Sequence, residues 1–122
     1  MREILFRGKR TDNGEWIYGD LRQYASGVKA IFDYETESRF FVDENTIGQY
    51  TGLTDKNGKK IFEGDILKYK SNSLCRVSYI NCQFAMMWEL VYRDFSDVYD
   101  KDIEVIGNIY DNPELLKECE RE

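Results

Sequence analysis

The sequence predicts a mainly β fold of small, barrel-like sheets finished by one short C-terminal helix. Three observations carry this. Two turns, Asn13-Gly14 and Asn57-Gly58, each lead into an apolar pair and then Gly–Asp: Ile17-Tyr18-Gly19-Asp20, and Ile61-Phe62 followed after Glu63 by Gly64-Asp65. Asn and Gly tolerate the positive φ that tight hairpins require. Short extended runs rich in Tyr and Phe fill the spaces between turns, and aromatics make up 15% of the 122 residues. Those side chains suit half-buried pleated surfaces and interfaces. A helix start appears in one place, at Asn112-Pro113-Glu114.

Taken in order, Arg2–Arg10 alternates with Ile4 and Phe6 on one face and reads as an opening strand. Asp12-Asn13-Gly14 turns, Trp16–Tyr18 returns, Gly19-Asp20 punctuates and Leu21–Tyr24 continues. Ser26-Gly27 turns into Val28–Phe32; Asp33–Arg39 is a polar loop before Phe40–Val42. Ile47–Leu53 is a strand, Asp55–Gly58 the second turn and Ile61-Phe62 its return, with Ile66–Tyr69 extended beyond Glu63-Gly64-Asp65. Leu74–Ile80 leads through a tight Asn81-Cys82 turn into one long apolar strand, Phe84–Tyr92. Asp94–Asp102 is an acidic loop and Ile103–Tyr110 the last strand. Asn112 then offers an N-cap side chain to a helix over residues 113–120, too short to hold without docking through Leu115, Leu116 and Cys119.

Aligned on their turns, the two Asn–Gly segments each describe a hairpin whose second strand bends at glycine, with Asp20 or Asp65 accepting turn amides after the bend. Sharply bent short strands are how small sheets curl toward barrels. The chain reads as one domain, 1–122, with an N-terminal β part over 1–45 and a larger barrel-like part over 46–110. A catalytic pair made of Asp20 and Asp65 would need both carboxyls in one cleft, which nothing in the sequence indicates. Turn-capping is the plainer reading.

Composition narrows function by exclusion. Histidine is absent, which removes the commonest general base and the commonest transition-metal ligand. Cys75, Cys82 and Cys119 are odd in number and unpaired in spacing, so neither a disulfide framework nor a zinc site is expected, and buried or half-buried thiols are. No Gly-rich phosphate loop, activated nucleophile or hydride-cofactor fingerprint occurs, so no cofactor and no enzymatic activity are expected. The apolar start Ile4-Leu5-Phe6 is cut off at Arg7, which indicates a cytoplasmic protein with no membrane partner. The net charge of −6 disfavours non-specific nucleic-acid binding. It is unevenly spread. Residues 51–80 carry six basic and three acidic side chains, whereas residues 81–122 carry four and eleven. That asymmetry suits contact between copies, or between the two halves of one copy.

The segments Ile4…Phe6-Arg7-Gly8-Lys9, Gly14–Asp20, Ile47–Leu53, Asp55–Lys59 with Ile61–Ile66, and Val105–Tyr110 with Asn112–Leu116 resemble the YopX family. This is a group of small proteins encoded mainly by phages and prophages. The likeness runs nearly end to end and is weakest over residues 22–42 and 71–102. It implies a mainly β fold with a barrel-like, SH3-resembling C-terminal part, and self-association. It supplies no activity and no catalytic residues. Glu44 stands where the family often has proline, which implies a looser loop there.

Three groups of residues remain as candidate interaction surface. Arg7, Lys9 and Arg10 with Lys56, Lys59, Lys60, Lys68 and Lys70, beside Trp16 or Tyr50, offer charge and stacking to a single nucleic-acid strand; solvated strand edges protected by lysine are the plainer reading. Met86 and Trp88, in the run Phe84–Tyr92, offer an adaptable apolar surface, against a buried central strand, one face of which serves a subunit interface. Asp94–Glu104 is acidic but lacks the alternation and glycine of a calcium loop; it reads as a solvated loop, or else as an acidic surface for a protein partner. The expectation is a homo-oligomeric interaction module that also contacts a host or phage protein, with a nucleic-acid accessory as the alternative.

Overall fold

A computed structural model describes residues 3–70, 73–80, 82–88, 92–96 and 98–120, the side chains of Tyr92 and of residues 117–120 excepted. The fold is mainly β, with antiparallel sheets and a single short C-terminal helix among the described residues. The chain divides into two compact units, Met1–Tyr50 and Thr51–Glu122.

The first unit is a meander. Strands β1 (Phe6–Lys9), β2 (Trp16–Gln23), β3 (Lys29–Asp33) and β4 (Ser38–Phe41) pair in sequence, and the start of β5 (Gly48–Thr54) adds to β1, giving the order β4-β3-β2-β1-β5. The first hairpin closes where expected, and Asn13 Oδ1 accepts the Glu15 N–H at 2.9 Å. The opening strand is shorter than Arg2–Arg10, and Ile4 is exposed. Gly19 does not end the strand. Strand β2 continues through it, and a Cβ there would stand 1.9 Å from the Phe32 carbonyl oxygen, so only glycine lets β3 approach so closely. Ala30, Ile31 and Val42 form the apolar interior, each side chain worth up to about 1.5–3 kcal/mol when it is as large as Ile. After β4 the chain returns to the end of β1, where Arg10 and Val42 form an isolated bridge. The Asp43–Thr46 loop is firmly held rather than loose: Asp43 caps the Asn45 N–H, the Thr46 hydroxyl donates to the Asp43 carbonyl at 2.6 Å, and Lys9 N–H donates to that hydroxyl at 2.9 Å.

The second unit begins with the rest of β5 and its return strand β6 (Lys60–Phe62), then an open five-stranded sheet. Strands β7 (Asp65–Tyr69), β8 (Ser73–Ile80), β9 (Gln83–Met87), β10 (Tyr92–Asp94) and β11 (Ile103–Asn108) take the order β10-β9-β8-β7-β11. The described strands form no closed barrel. The long strand expected over Phe84–Tyr92 is instead a hairpin, in which Tyr92 pairs with Met87 across β9 and β10; residues 89–91 lie outside the described set. Apolarity on both sides marked burial correctly, but in a strand that turns back. Ile61, Leu67, Tyr69, Cys75, Val77, Met86 and Ile103 make the core, with Trp88, Phe95, Val98 and Val105 against it. Cys75 is a buried thiol outside any disulfide, as expected, whereas Cys82 is exposed in its positive-φ turn; the Cys119 side chain lies outside the description. Helix α1 (Pro113–Glu120) lies against β8. Asn112 starts it differently from expectation. Its side chain reaches back to accept the Asn108 N–H at 3.2 Å, and its main-chain oxygen takes the Leu115 N–H.

Candidate functional site

The candidate surface residues separate on folding. Arg7, Lys9 and Trp16 come together, as the antiparallel pairing of Lys9 with Trp16 requires. The Arg7 guanidinium lies 4.6 Å and the Lys9 ammonium 5.5 Å from the Trp16 ring centroid. Arg7 is nonetheless buried, as are Tyr50 and Met86, so those three offer no surface of their own. Here tertiary packing overrides polarity: Arg7 sits mid-strand in β1, and Met86 on the core face of β9. Arg10 stacks 4.4 Å over Phe40 and grips Asp12 with two hydrogen bonds of 2.9 and 2.7 Å. That side-chain bond holds the Asp12 carboxyl below, and the Arg10 guanidinium above, its ordinary range. Trp88 is half-buried, its indole donating to Ser73 Oγ at 2.6 Å. Lys56, Lys59 and Lys60 are exposed around the β5–β6 turn, and Lys56 shares a recess with Lys68 and Lys70.

The two repeated aspartates differ. Asp65 is buried and accepts the Phe62 N–H at 2.7 Å, the backbone role expected of it. Asp20 is not a turn cap. It sits within β2 and accepts the Tyr34 phenol, a bond that raises the Tyr34 pKa.

A groove that sequence reasoning missed opens in the first unit. It measures about 650 Å³, is mainly apolar, and is lined by Tyr24, Val28 and Phe41 with Arg39, Lys29 and Glu44 at its polar margin. The antiparallel register builds it. Phe41 lies opposite Ala30 on β3, and the Ser26-Gly27 turn folds Tyr24 and Val28 together, Tyr24 N–H donating to the Val28 carbonyl. Tyr24, Val28 and Phe41 stay 37%, 43% and 46% exposed. Arg39 is held by both rings, at 5.2 Å from Tyr24 and 5.4 Å from Phe41, and donates to the Tyr24 hydroxyl at 2.8 Å. Lys29 and Glu44 neutralise each other at 3.0 Å. The arrangement suits an aromatic and acidic occupant: rings and an aliphatic side chain for apolar contact, and one guanidinium left over for charge. The sequence signal was Arg39-Phe40-Phe41, but period-two alternation alone does not tell which Phe faces water.

Residues 5–117 match the family described as YopX protein. The chain belongs to the YopX family. Two solved structures are similar in fold. One is protein EF1440 from Enterococcus faecalis, with 27% identity, 95% of this chain and 99% of that chain covered, and a TM-score of 0.61. The other is protein yopX from Bacillus subtilis, with 23% identity, 95% and 97% covered, and the same TM-score, a likeness of fold. No curated protein matches the sequence. Among the described residues of this YopX-family chain, no helix is long and apolar enough to cross a membrane.

Proposed function

We propose that this YopX-family protein is a non-enzymatic, cytoplasmic interaction module of phage or prophage origin that works as a homo-oligomer, with the first-unit groove as its contact face. The supporting observation is that Tyr24, Val28 and Phe41 are exposed together in one groove beside a guanidinium. Scattered apolar exposure is ordinary, while grouped aromatics around an arginine are the anchors of protein contacts. The occupant is a second copy of the chain. Its β3–β4 turn presents Tyr34, 61% exposed, among the carboxylates of Asp33, Glu35 and Glu37, matching the groove in both shape class and charge. Turn and groove belong to the same unit, so the contact can repeat reciprocally about a two-fold axis. Sedimentation at high micromolar concentration and physiological salt should give a dimer or larger species. Phe41→Glu should weaken association by about tenfold or more, since it places a charge in an apolar anchor position. A monomeric wild-type protein under those conditions ends the proposal.

A second reading, an accessory that grips single-stranded nucleic acid, draws on the exposure of Lys56, Lys59 and Lys60 around one hairpin turn. It requires salt-sensitive binding that Lys59→Glu with Lys60→Glu weakens, and absence of binding at low salt removes it.

A further inference from the structure

We propose that the second unit carries a binding site for a phosphate-type oxyanion, separate from the self-association groove. Lys56, Lys68, Lys70 and Lys101 line a polar recess of about 340 Å³ together with Asp102 and Glu104. Four lysines stand against two acidic residues in this lining, a local excess of positive charge in a chain of net charge −6. Among the described residues the ion pair here is Lys56 with Glu104, at 3.5 Å.

The recess is built rather than incidental. Its lysines come from three segments that backbone bonds tie together. Lys56 N–H donates to the Ile103 carbonyl at 3.0 Å, which seats the β5–β6 turn on β11. Lys70 N–H donates to the Asp102 carbonyl at 2.8 Å, which joins the end of β7 to the 3₁₀ turn Asp100–Asp102. Asp55 fixes the same turn from beneath, its carboxylate accepting from Asn57, Lys59 and Val105 amides, each at 2.9 Å. Two ammonium groups rest on rings instead of carboxylates, Lys70 at 5.3 Å from Tyr69 and Lys101 at 5.5 Å from Tyr99, which orients them without cancelling their charge.

Edge protection explains lysines on outer strands. It does not explain Lys68, which lies on β7 between β8 and β11, directly opposite Glu104. Nor does it explain why Lys70 holds a left-handed φ of +57°, a conformation that costs a non-glycine residue and is found at ligand sites. Ammonium groups converging from several segments on a recess of this size suit an anion of more than one negative charge, with Glu104 and Asp102 spacing the lysines. The chemistry is a phosphate group, supplied by a small phosphorylated molecule or by a nucleic-acid backbone.

The test uses the full chain and titration calorimetry with inorganic pyrophosphate, against chloride at matched ionic strength. Pyrophosphate should bind saturably. Lys68→Gln and, separately, Lys101→Gln should each weaken it about tenfold, as loss of one charge-assisted contact does, while Lys59→Gln outside the recess changes nothing. Lys101 is exposed, so its variant keeps the fold if Lys68→Gln does not. A single-stranded oligonucleotide forms the second arm. Binding of the oligonucleotide alone, lost in Lys101→Gln, assigns the phosphate to nucleic acid and supports the site. Oligonucleotide binding lost only in the Lys59→Glu, Lys60→Glu variant overturns it, as does a failure of both pyrophosphate and the oligonucleotide to bind beyond the chloride control.

Discussion

The two hairpins that share the Asn–Gly and Gly–Asp pattern solve different problems with the same residues. In the first, carboxylates hold side chains: Asp12 grips Arg10, and Asp20 takes the Tyr34 phenol. In the second, carboxylates hold backbone: Asp55 takes three amides and Asp65 takes Phe62 N–H. The glycines divide likewise. Gly19 is present for closeness, since β3 passes where a side chain would stand. Gly64 is present for its φ of +93°, in the extra-residue turn that Glu63 makes possible. One inserted residue separates a strand that runs on from a strand that turns. A short motif therefore reports that glycine and aspartate are needed, not what for.

The largest effects should come from the glycines. Gly19→Ala places a Cβ against a backbone carbonyl that has no rotamer to escape into, and should cost about 3 kcal/mol or more. Gly64→Ala meets a movable Tyr110 ring and pays mainly for its left-handed φ, about 1–2 kcal/mol. The chain has two tryptophans, Trp16 in the first unit and Trp88 in the second, so Trp16→Phe and Trp88→Phe backgrounds let denaturant titration follow each unit by fluorescence. An inverted order, or equal losses, would break the distinction between close approach and backbone sign.

The aspartates come next. Asp65→Ala leaves a buried Phe62 amide without its acceptor and should cost about 2 kcal/mol. Asp20→Ala should stay within about 0.5 kcal/mol, because a partly exposed side-chain bond is lost to water that can replace it. It has a readout of its own. The Tyr34 phenol is held above the ordinary tyrosine value by its bond to Asp20 foremost and by partial burial after that, with Arg22 opposing. Ultraviolet titration should show one tyrosine moving down in Asp20→Ala and none moving in Asp65→Ala. A stability loss from Asp20→Ala as large as that from Asp65→Ala would restore a common role for the two.

What could be read beforehand follows the range of the forces involved. Turn positions and the β class are local, set by φ preferences at Asn13-Gly14 and Asn57-Gly58, and were legible. Burial of Met86 and departure of Tyr92 into a separate strand depend on residues across the sheet, so the run Phe84–Tyr92 looked continuous. The groove was illegible for the same reason. Tyr24 and Phe41 meet at 6.5 Å between ring centroids although 17 positions apart, and nothing near either residue announces the other. The lysine recess was half legible: Lys56, Lys68 and Lys70 stood out as cations, but Lys101 lay in a segment dominated by acids.

Acid separates the two hairpins in a further way. Asp12 and Asp55 are both held below the ordinary carboxyl value, for opposite kinds of reason. Burial of Asp55, 2% exposed, pushes its pKa up, and the Val105, Lys59 and Asn57 amides together outweigh that and leave it low. Asp12 is exposed and owes its shift to Arg10, a pair that salt screens. A carboxyl whose folded pKa lies below its unfolded value contributes stability that is complete above the unfolded value, near pH 4, and drains away as pH falls through the folded one. Asp55→Asn should therefore be less stable than wild type by about 1–2 kcal/mol at pH 7, with the gap closing as pH falls below the ordinary carboxyl range and the wild-type carboxyl takes its proton. Asp12→Asn should leave the acid limb of the stability profile in place at physiological salt. Parallel acid limbs for wild type and Asp55→Asn would mean that the three amides do not hold the charge, and that the second turn is gripped no differently from the first.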